Sequence, residues 1–259
     1  MKTQAIINHI VNWLKDYAKE NEQNGFVVGV SGGIDSAVTS TLCAKTGMRV
    51  LCLEMPIHQD IDQVSRAEKH IKHLQRQFAN VSSVRVDLSE TFETFKNSVP
   101  QTPETDQKNL SLANTRARIR MTTLYYFAAL HGYLVAGTGN KVEDFGVGFY
   151  TKYGDGGVDL SPIADLMKSE VYNLGQELNV IKDIMEAAPT DGLFGDSRSD
   201  EDQLGASYDE LEWAMDFSGN ENHLDKRQKE VLAIQRHLYK THQHKMNPIP
   251  VCNIPEHLK

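Results

Sequence analysis

A short glycine-rich segment between an apolar run and a helix constrains this chain more than any other feature. Residues 29–36 read Gly-Val-Ser-Gly-Gly-Ile-Asp-Ser and overlap the end of the apolar run Phe26–Val30. Because Gly32 and Gly33 lack a Cβ, the backbone can turn tightly there and direct N–H groups at an anion. The helix that follows adds its positive N-terminal dipole at the same point. The segment therefore predicts a phosphate site at the carboxyl end of a buried strand.

The order of segments around this loop predicts an α/β fold. Apolar runs typical of strands covered on both faces alternate with segments of helical periodicity. The predicted strands are Phe26–Val30, Arg49–Met55, Val81–Val86 and Tyr133–Gly137, and the predicted helices are 3–19, Ser36–Lys45, Gln59–Gln77, Glu90–Asn97, Leu110–His131, Ala164–Leu178, Gln203–Phe217 and Asp225–Tyr239. This alternation is typical of a doubly wound, mostly parallel sheet with helices on both faces. No linker or repeat divides residues 1–259, so we expect a single domain, with a loop-rich region at 138–162.

Charge and composition exclude several classes of function. The net charge of −8 argues against a nucleic acid or an anionic membrane as the main partner, since either would favour clustered Lys and Arg. No apolar run approaches the roughly 20 residues that cross a bilayer, and the N-terminus lacks the apolar core of a signal peptide. Cys43, Cys52 and Cys252 show no paired spacing. We therefore expect a cytoplasmic protein with reduced thiols and no membrane partner.

The acid in the glycine-rich loop indicates which phosphate chemistry to expect. No lysine follows the glycines as in GxxxxGK[ST], and the loop is not GxGxxG. It carries Asp35 instead, and a carboxylate repels phosphate unless a divalent cation lies between them, which implies Mg²⁺. The alternative is an ordinary strand–helix turn with Asp35 as the helix N-cap.

A second polar segment is expected at the same edge of the sheet. Residues 137–143 read Gly-Thr-Gly-Asn-Lys-Val-Glu and follow the fourth predicted strand. Glu143 is the natural second carboxylate for the cation, and Thr138 can donate to a nucleotide. Later acidic residues at 196–202 are expected to form a solvated face. A His-Lys pair at 244–245 would by itself be typical of a surface.

Several motifs occur together in one order, and they resemble a known family. They are GVSGGIDS, GTGNKVE, TKYGDGGVDLSP, Lys168, APT, SYDEL and HK. The first resembles the loop of the ATP pyrophosphatases (PP-loop enzymes). The whole set, over about residues 5–250, resembles the ammonia-dependent NAD synthetases, and TKYGDGG is its most specific element. The resemblance implies an adenine-nucleotide α-hydrolase-like fold.

The resemblance also implies a reaction. The family uses ATP as co-substrate and Mg²⁺ to amidate deamido-NAD (nicotinic acid adenine dinucleotide) with ammonia. The products are NAD, AMP and pyrophosphate, formed through an adenylated nicotinate carboxylate. Ammonia is the expected nitrogen donor, because none of the three cysteines lies in an amidase context. Relatives are homodimers, so a homodimer is expected. Another PP-loop enzyme acting on a different substrate, such as an amidotransferase or thiolase, and a nucleotide-binding sensor remain alternatives.

The resemblance assigns roles to residues that match its motifs. The implied ATP-binding residues are Gly29, Val30, Ser31, Gly32, Gly33, Ile34, Asp35, Ser36, Thr138, Lys168 and Thr190, and the implied deamido-NAD-binding residues are Arg118, Lys152, Asp159, His244 and Lys245. Asp35 and Glu143 are the implied metal ligands, and with Lys168 they are the implied catalytic residues. Arg116 and Arg120 compete with Arg118. Asp144 competes with Glu143, because the segment between Glu143 and Lys152 has one residue more than in some relatives. Some relatives have a basic residue at the end of the second strand, where this chain has Glu54.

Overall fold

A four-stranded parallel sheet forms the centre of the computed structural model, which describes residues 1–190 and 199–259. The strands are β1 (Gly25–Gly29), β2 (Arg49–Glu54), β3 (Val81–Arg85) and β4 (Leu134–Val135), in the order β3-β2-β1-β4. Gly29 lies opposite Leu53, and Val27 lies opposite Val135. The strand order reverses between β1 and β4. In such sheets a crevice opens at that point, at the carboxyl ends of the strands.

Helices cover both faces of this sheet, as the sequence predicts. In chain order they are α1 (Thr3–Glu20), α2 (Ile34–Lys45), α3 (Ile61–Gln77), α4 (Ser89–Ser98), α5 (Asp106–His131), a π-helical turn (Val142–Val147), α6 (Lys168–Glu177), α7 (Lys182–Met185), α8 (Asp200–Leu204), α9 (Tyr208–Asp216), α10 (Lys226–Thr241) and α11 (Gln243–Met246), with 3₁₀ turns at Glu221–His223 and Glu256–Leu258. None of the described helices is both long and apolar enough to cross a membrane.

The apolar runs of β1 and β2 do not alternate with polar residues, because successive side chains pack on opposite faces of a sheet that is covered on both sides. Phe26 and Val28 point to the face covered by α1, α2, α3 and α6, where they join one apolar cluster. Val27 and Leu51 point to the opposite face and pack with residues of α4 and α5. Side chains alternate between the faces of a strand, so a sheet covered on both sides needs apolar residues at every position.

A third apolar cluster holds the loop after β4. Val142 and Val147 of the π-helical turn pack with Leu204, Leu211 and Leu232 from the C-terminal helices. This packing ties the segment that follows Val142 to α8, α9 and α10. The loop-rich region expected at 138–162 is therefore anchored by the C-terminal part of the chain.

Three of the predicted helices have clearly different bounds, and one of them, predicted at Leu110–His131, begins four residues earlier at Asp106 with Thr105 as its N-cap. The single helix predicted at Gln203–Phe217 is wrong, because Gly205 adopts a left-handed φ of 76° and separates α8 from α9. A serine caps each new helix, Ser199 for α8 and Ser207 for α9. The helix predicted at Ala164–Leu178 begins only at Lys168. The periodicity of apolar residues does not show where a helix begins or ends, because local caps and turns determine these positions.

The three cysteines form no disulfide bond, as the sequence predicts. Cys43 and Cys52 are buried against the sheet, whereas Cys252 is exposed. Burial raises the pKa of Cys52 to about 12, so its thiol is protonated and unreactive at neutral pH.

Candidate active site

The glycine-rich loop joins β1 to α2 at the carboxyl edge of the sheet. Gly32 has a left-handed φ of 85°, and a Cβ on it would lie 2.5 Å from the carbonyl oxygen of Gln63. Only glycine fits there. Helix α2 begins at Ile34 with Gly33 as its N-cap, so no side chain at the cap position occupies its first N–H groups. Asp35 lies inside the first turn, and the alternative of Asp35 as the N-cap is wrong.

Two serine hydroxyls fix the shape of this loop. The Ser36 hydroxyl donates to the carbonyl of Gly33 at 3.0 Å and accepts from the backbone N–H of Ser31 at 3.2 Å. The Ser31 hydroxyl accepts from the N–H of Gly33 at 3.2 Å and lies 3.1 Å from the Ser36 hydroxyl. These bonds hold the loop in one conformation before any ligand binds, which lowers the entropy cost of binding.

Asp35 and Glu143 come together over one lysine. The Nζ atom of Lys168 donates to Oδ2 of Asp35 at 2.6 Å and to Oε1 of Glu143 at 2.9 Å. Lys168 is the first residue of α6 and is only 3% exposed. The two carboxylates therefore lie close enough to be bridged by a single positive group, as their positions after two neighbouring strands predict.

The electrostatics of this cluster favour a cation at its centre. Burial and the charge of Glu143 raise the pKa of Asp35, although Lys168 opposes that rise. Burial alone would lower the pKa of Lys168, but the two carboxylates outweigh it and hold this pKa above its ordinary value. Lys168 is therefore protonated and compensates two carboxylates with one charge. With both carboxyl groups ionised, the cluster carries a net negative charge that a divalent cation can balance.

Asn140 links the two turns that carry the carboxylates. Its side-chain amide donates to Oδ1 of Asp35 at 3.1 Å, and its carbonyl oxygen accepts from the backbone N–H of Glu143 at 3.1 Å. Asn140 is fully buried. Sequence reasoning did not single it out, because a buried asparagine in a polar motif resembles an ordinary turn residue.

Tyr208 and Asp200 also belong to the cluster, and the sequence did not predict them. The Tyr208 hydroxyl donates to Oε1 of Glu143 at 2.6 Å and lies 3.3 Å from Oδ2 of Asp200. The ring of Tyr208 lies 4.6 Å from Nζ of Lys168, a cation–π distance. Asp200 is 6% exposed, so the solvated face predicted for residues 196–202 is wrong at this position. Residues 196–198 of that stretch lie outside the described residues.

One cleft contains the loop, the carboxylates and both threonines. Ser31, Asp35, Ser36, Thr138, Glu143 and Thr190 line it together with an apolar wall of Leu53, Met55 and Leu124. Asp144 also lines the cleft, and burial with the nearby acids raises its pKa to about 8. The bonds of Lys168 go to Asp35 and Glu143 rather than to Asp144. The cleft thus places an anion-binding loop beside a negatively charged, cation-binding pair.

Four of the five residues implied to bind the dinucleotide do not line the cleft but meet at the loop that contains Tyr150 and Gly154, which do line it. Arg118 donates to the carbonyl of Lys152 at 3.2 and 3.3 Å, and Nζ of Lys152 donates to the carbonyl of His244 at 2.5 Å. Lys245 donates to the carbonyls of Gly148 at 2.5 Å and of Tyr150 at 2.8 Å. These cations join the C-terminal segment to the TKYGDGG loop.

Asp159 lies apart from that group. Its carboxylate accepts from the backbone N–H of Val135 at 2.8 Å and from the hydroxyl of Tyr125 at 3.0 Å. It borders a second groove, with Trp13 and Phe145, instead of the cleft. In this position Asp159 satisfies a backbone donor on the outer edge of β4, where the Asp159–Leu160 segment also pairs through a parallel bridge between Ala136 and Leu160.

The three neighbouring arginines of α5 point in different directions. Arg116 lies 4.4 Å above the ring of Phe92, and Arg118 reaches Lys152. Arg120 enters the cleft, where it donates to the carbonyl of Met55 at 3.0 Å and to Oε1 of Gln59 at 2.6 Å. Residues two apart on a helix face different sides, which explains the separation.

The donor set fits a hard divalent cation that also binds phosphate. Two carboxylates from different turns, Asp35 and Glu143, lie at the glycine-rich loop of residues 29–36, the phosphate loop. Among the described residues, no group of three or more His, Cys, Asp or Glu side chains could hold a metal alone. Mg²⁺ in nucleotide sites typically uses one or two carboxylates and completes its shell with phosphate oxygens and water.

Comparison with known proteins agrees with this geometry. Residues 6–249 match the NAD synthase family. The NH(3)-dependent NAD(+) synthetase of Carboxydothermus hydrogenoformans is 39% identical over 208 residues, which cover 78% of this chain and 81% of that protein. The solved structure of NMN synthetase from Francisella tularensis has a TM-score of 0.86 and 30% identity, with 98% of this chain and 100% of that chain covered.

A second solved structure shows the same fold over nearly the same length. The NH3-dependent NAD synthetase from Campylobacter jejuni has a TM-score of 0.76 and 27% identity, and it covers 98% of this chain and 100% of that chain. The family match spans nearly every element described above, from α1 to the end of α11. The sheet order, the phosphate loop and the paired carboxylates thus occur in a chain that belongs to the NAD synthase family.

Proposed function

We propose how this chain carries out the ammonia-dependent NAD synthetase activity of its family. The nicotinate carboxylate of deamido-NAD attacks the α-phosphorus of ATP, and pyrophosphate leaves. Ammonia then attacks the acyl carbon of the mixed anhydride, AMP leaves with the bonding electron pair, and the nitrogen loses a proton to give the amide of NAD. The observation that carries the proposal is the meeting of Asp35 and Glu143 over Lys168 beside the phosphate loop.

Residues 29–36 would hold the phosphates of ATP. The first N–H groups of α2 and the serine-braced loop present donors and a positive dipole to them. Asp35 and Glu143 would hold Mg²⁺, which supplies positive charge to the phosphates as negative charge develops. Thr138 and Thr190 line the same cleft and would donate to the nucleotide. Such a site accelerates the reaction mainly by positioning and by electrostatic stabilisation.

Lys168 would act on the carboxylates more directly than on ATP. Its three ammonium protons lie among Asp35, Glu143 and the face of Tyr208. Its charge attracts both carboxylates and holds them close together, where they can bind a cation. Lys168 would also contact ATP, because a phosphate oxygen that reaches the cluster would meet the same ammonium group.

Ammonia needs no nucleophilic side chain from the protein. Once the carboxylate is adenylated, free ammonia is a competent nucleophile, and the protein has only to exclude water and hold the anhydride. Cys43 and Cys52 are buried and do not line the cleft. Ammonia is therefore the proposed nitrogen donor.

Arg118, Lys152, His244 and Lys245 would bind the dinucleotide. They lie together between the TKYGDGG loop and the C-terminal segment. Their cations would exchange backbone carbonyls for phosphate oxygens, which are stronger acceptors. On the basis of the resemblance, Asp159 would also bind the dinucleotide. Its two hydrogen bonds within the protein give it a structural role as well.

A second candidate substrate is nicotinic acid mononucleotide. The structural neighbour from Francisella tularensis is described as an NMN synthetase and superposes on nearly all of this chain. Lys152 and Lys245 are both bonded to carbonyls of the protein itself, so a substrate that makes fewer phosphate contacts would leave those bonds intact. The chemistry at the carboxylate would be the same for both substrates.

We propose that residues 1–259 act as one domain and that two copies form a dimer. Exposed apolar side chains on α5, Tyr126 and Leu130, are 63% and 60% exposed. The groove that contains Trp13 and Phe145 is a further unburied aromatic surface. Burial of these surfaces against a second copy would remove apolar area from water. Light scattering on the purified protein measures this directly, and a monomer mass at every concentration would refute the dimer.

Product analysis tests the function. The pure protein, ATP, Mg²⁺, ammonium and deamido-NAD should give NAD, AMP and pyrophosphate in equal amounts. A parallel reaction with nicotinic acid mononucleotide decides between the two substrates by the ratio of their kcat/KM values. Formation of ADP in place of AMP, or no product with either substrate, would contradict the proposal.

A further inference from the structure

Glu54 is a buried carboxylate with no part in the steps above. It is the last residue of β2 and is 9% exposed. Its Oε2 atom is buried without a hydrogen-bond partner, and the side chain forms no ion pair with the described residues. Burial raises the pKa of Glu54, and the charge of Arg85 only partly opposes this. A buried polar atom without a partner is costly, so a native site that keeps one needs a reason.

The charged groups around Glu54 do not supply that reason. Arg85 lies opposite it on β3 and acts on it only through longer-range attraction. Glu68 and Lys72 of α3 form an ion pair with each other at 2.5 Å. None of these charged groups donates a hydrogen bond to the carboxylate of Glu54.

The position of Glu54 in the sheet points to the nucleoside. Strand β1 carries the phosphate loop, and Gly29 at its end lies opposite Leu53, the residue before Glu54. Glu54 lines the same cleft as that loop. In dinucleotide-binding sheets of this strand order, whose loop reads GxGxxG, an acid about 20 residues after the glycines accepts a hydrogen bond from a ribose hydroxyl. Glu54 stands at that distance from Gly33 in this chain.

We infer that Glu54 accepts hydrogen bonds from the ribose hydroxyls of ATP and selects a ribonucleotide. The inference rests on the proposed function, since it takes ATP as the occupant of the cleft. A ribose diol offers two hydroxyl donors to one carboxylate, which matches the acceptor capacity of Glu54. A deoxynucleotide would leave the buried carboxylate unpaired, and a site built to bond a hydroxyl discriminates strongly against its loss.

Nucleotide analogues measure this selectivity. The kcat/KM for ATP is compared with those for 2′-deoxy-ATP and 3′-deoxy-ATP, and equilibrium dialysis gives the binding of each nucleotide without turnover. We expect the unaltered protein to favour ATP over at least one deoxy analogue by about tenfold or more. In Glu54→Leu the ratio should fall to about one, because ATP loses its bond and the deoxy analogue has none to lose. Glu54→Gln keeps the shape and one acceptor oxygen, so its ratio should lie between these two.

Glu68→Gln is the matched control. It removes a carboxylate from the same surroundings on the exposed side of α3, and its ratio should equal that of the unaltered protein. If Glu54→Leu does not fold, as judged by its melting curve, Glu54→Gln carries the test alone. An unchanged ratio in a folded Glu54 variant would overturn the inference, as would equal use of ATP and both analogues by the unaltered protein. Failure of the proposed function would look different, because no AMP or pyrophosphate would form with ATP itself.

Discussion

Replacing Lys168 by methionine tests whether this lysine holds the carboxylate cluster together. The change removes the charge and keeps most of the aliphatic volume, so Asp35 and Glu143 would face each other without their shared cation. Because Lys168 is 3% exposed, solvent cannot replace the lost charge. Removing one partner of a buried ion pair costs about 3–5 kcal/mol of folding free energy. For a chain of this size that loss lowers the melting temperature by about 10 °C.

The chain offers a control pair with the same geometry and different burial. Lys69 donates to Asp183 at 2.6 Å, the distance between Lys168 and Asp35, but these two side chains are 58% and 49% exposed. Lys69→Met should cost about 1 kcal/mol or less, as exposed ion pairs do. Chemical denaturation of both variants gives the comparison. If Lys168→Met loses no more stability than Lys69→Met, burial does not control the energetics of the cluster.

The dependence on pH has a definite sign. The pKa of Asp35 is raised in the folded protein, so its folding contribution is present at pH values below its unfolded pKa and is lost as the pH rises through the folded value. Without Lys168 that pKa rises further, since the ammonium group lowers it. The stability gap between Lys168→Met and the unaltered protein should therefore widen as the pH rises from the folded pKa of Asp35 in the unaltered protein to its higher value in the variant. A divalent cation should narrow the gap, because it supplies the missing charge to the folded state alone.

Three further predictions concern single side chains. Gly32→Ala should abolish binding of ATP as measured by dialysis, because a Cβ would lie 2.5 Å from a backbone oxygen and the φ of 85° is strained for alanine. Tyr208→Phe should weaken Mn²⁺ binding in the presence of ATP by about tenfold, measured by paramagnetic resonance, because Glu143 loses a hydrogen bond that orients it. Asp159→Ala should lower the melting temperature and leave kcat nearly unchanged, because the N–H of Val135 loses its acceptor. An unchanged melting temperature with a raised KM for the substrate would instead assign Asp159 to substrate binding.

The parallel sheet explains why so much of the cluster follows from the sequence. Strands β1 and β4 are neighbours, so the residues that follow them meet at one edge, and the acids at 35 and 143 could be paired from the order of motifs along the chain. The apolar runs indicate the strands because both faces of the sheet are covered. Strand β4 has only two residues, Leu134 and Val135, so the strand predicted at Tyr133–Gly137 is too long.

Contacts between distant segments could not be predicted in this way. Tyr208 reaches Glu143 across 65 positions of the chain, and Asp200 enters the same cluster from a run of acids that looks solvated. A capping box at Ser207 and Glu210 fixes where α9 begins, and thus the position of Tyr208, but no periodicity indicates which helix faces the carboxylates. The resemblance to the NAD synthetases indicates Lys168 as a site residue. Only the folded structure shows that its ammonium group is buried between two carboxylates.

Coupling between Asp35 and Glu143 in cation binding tests the central claim most directly. Binding of Mn²⁺ with a non-hydrolysable ATP analogue is measured by paramagnetic resonance for the unaltered protein, Asp35→Asn, Glu143→Gln and the double variant. If the two acids share one cation, each single variant should bind about tenfold more weakly or worse, and the double variant should be little weaker than the poorer single one. Losses that simply multiply in the double variant, or single variants that bind Mn²⁺ as well as the unaltered protein, would contradict a shared cation.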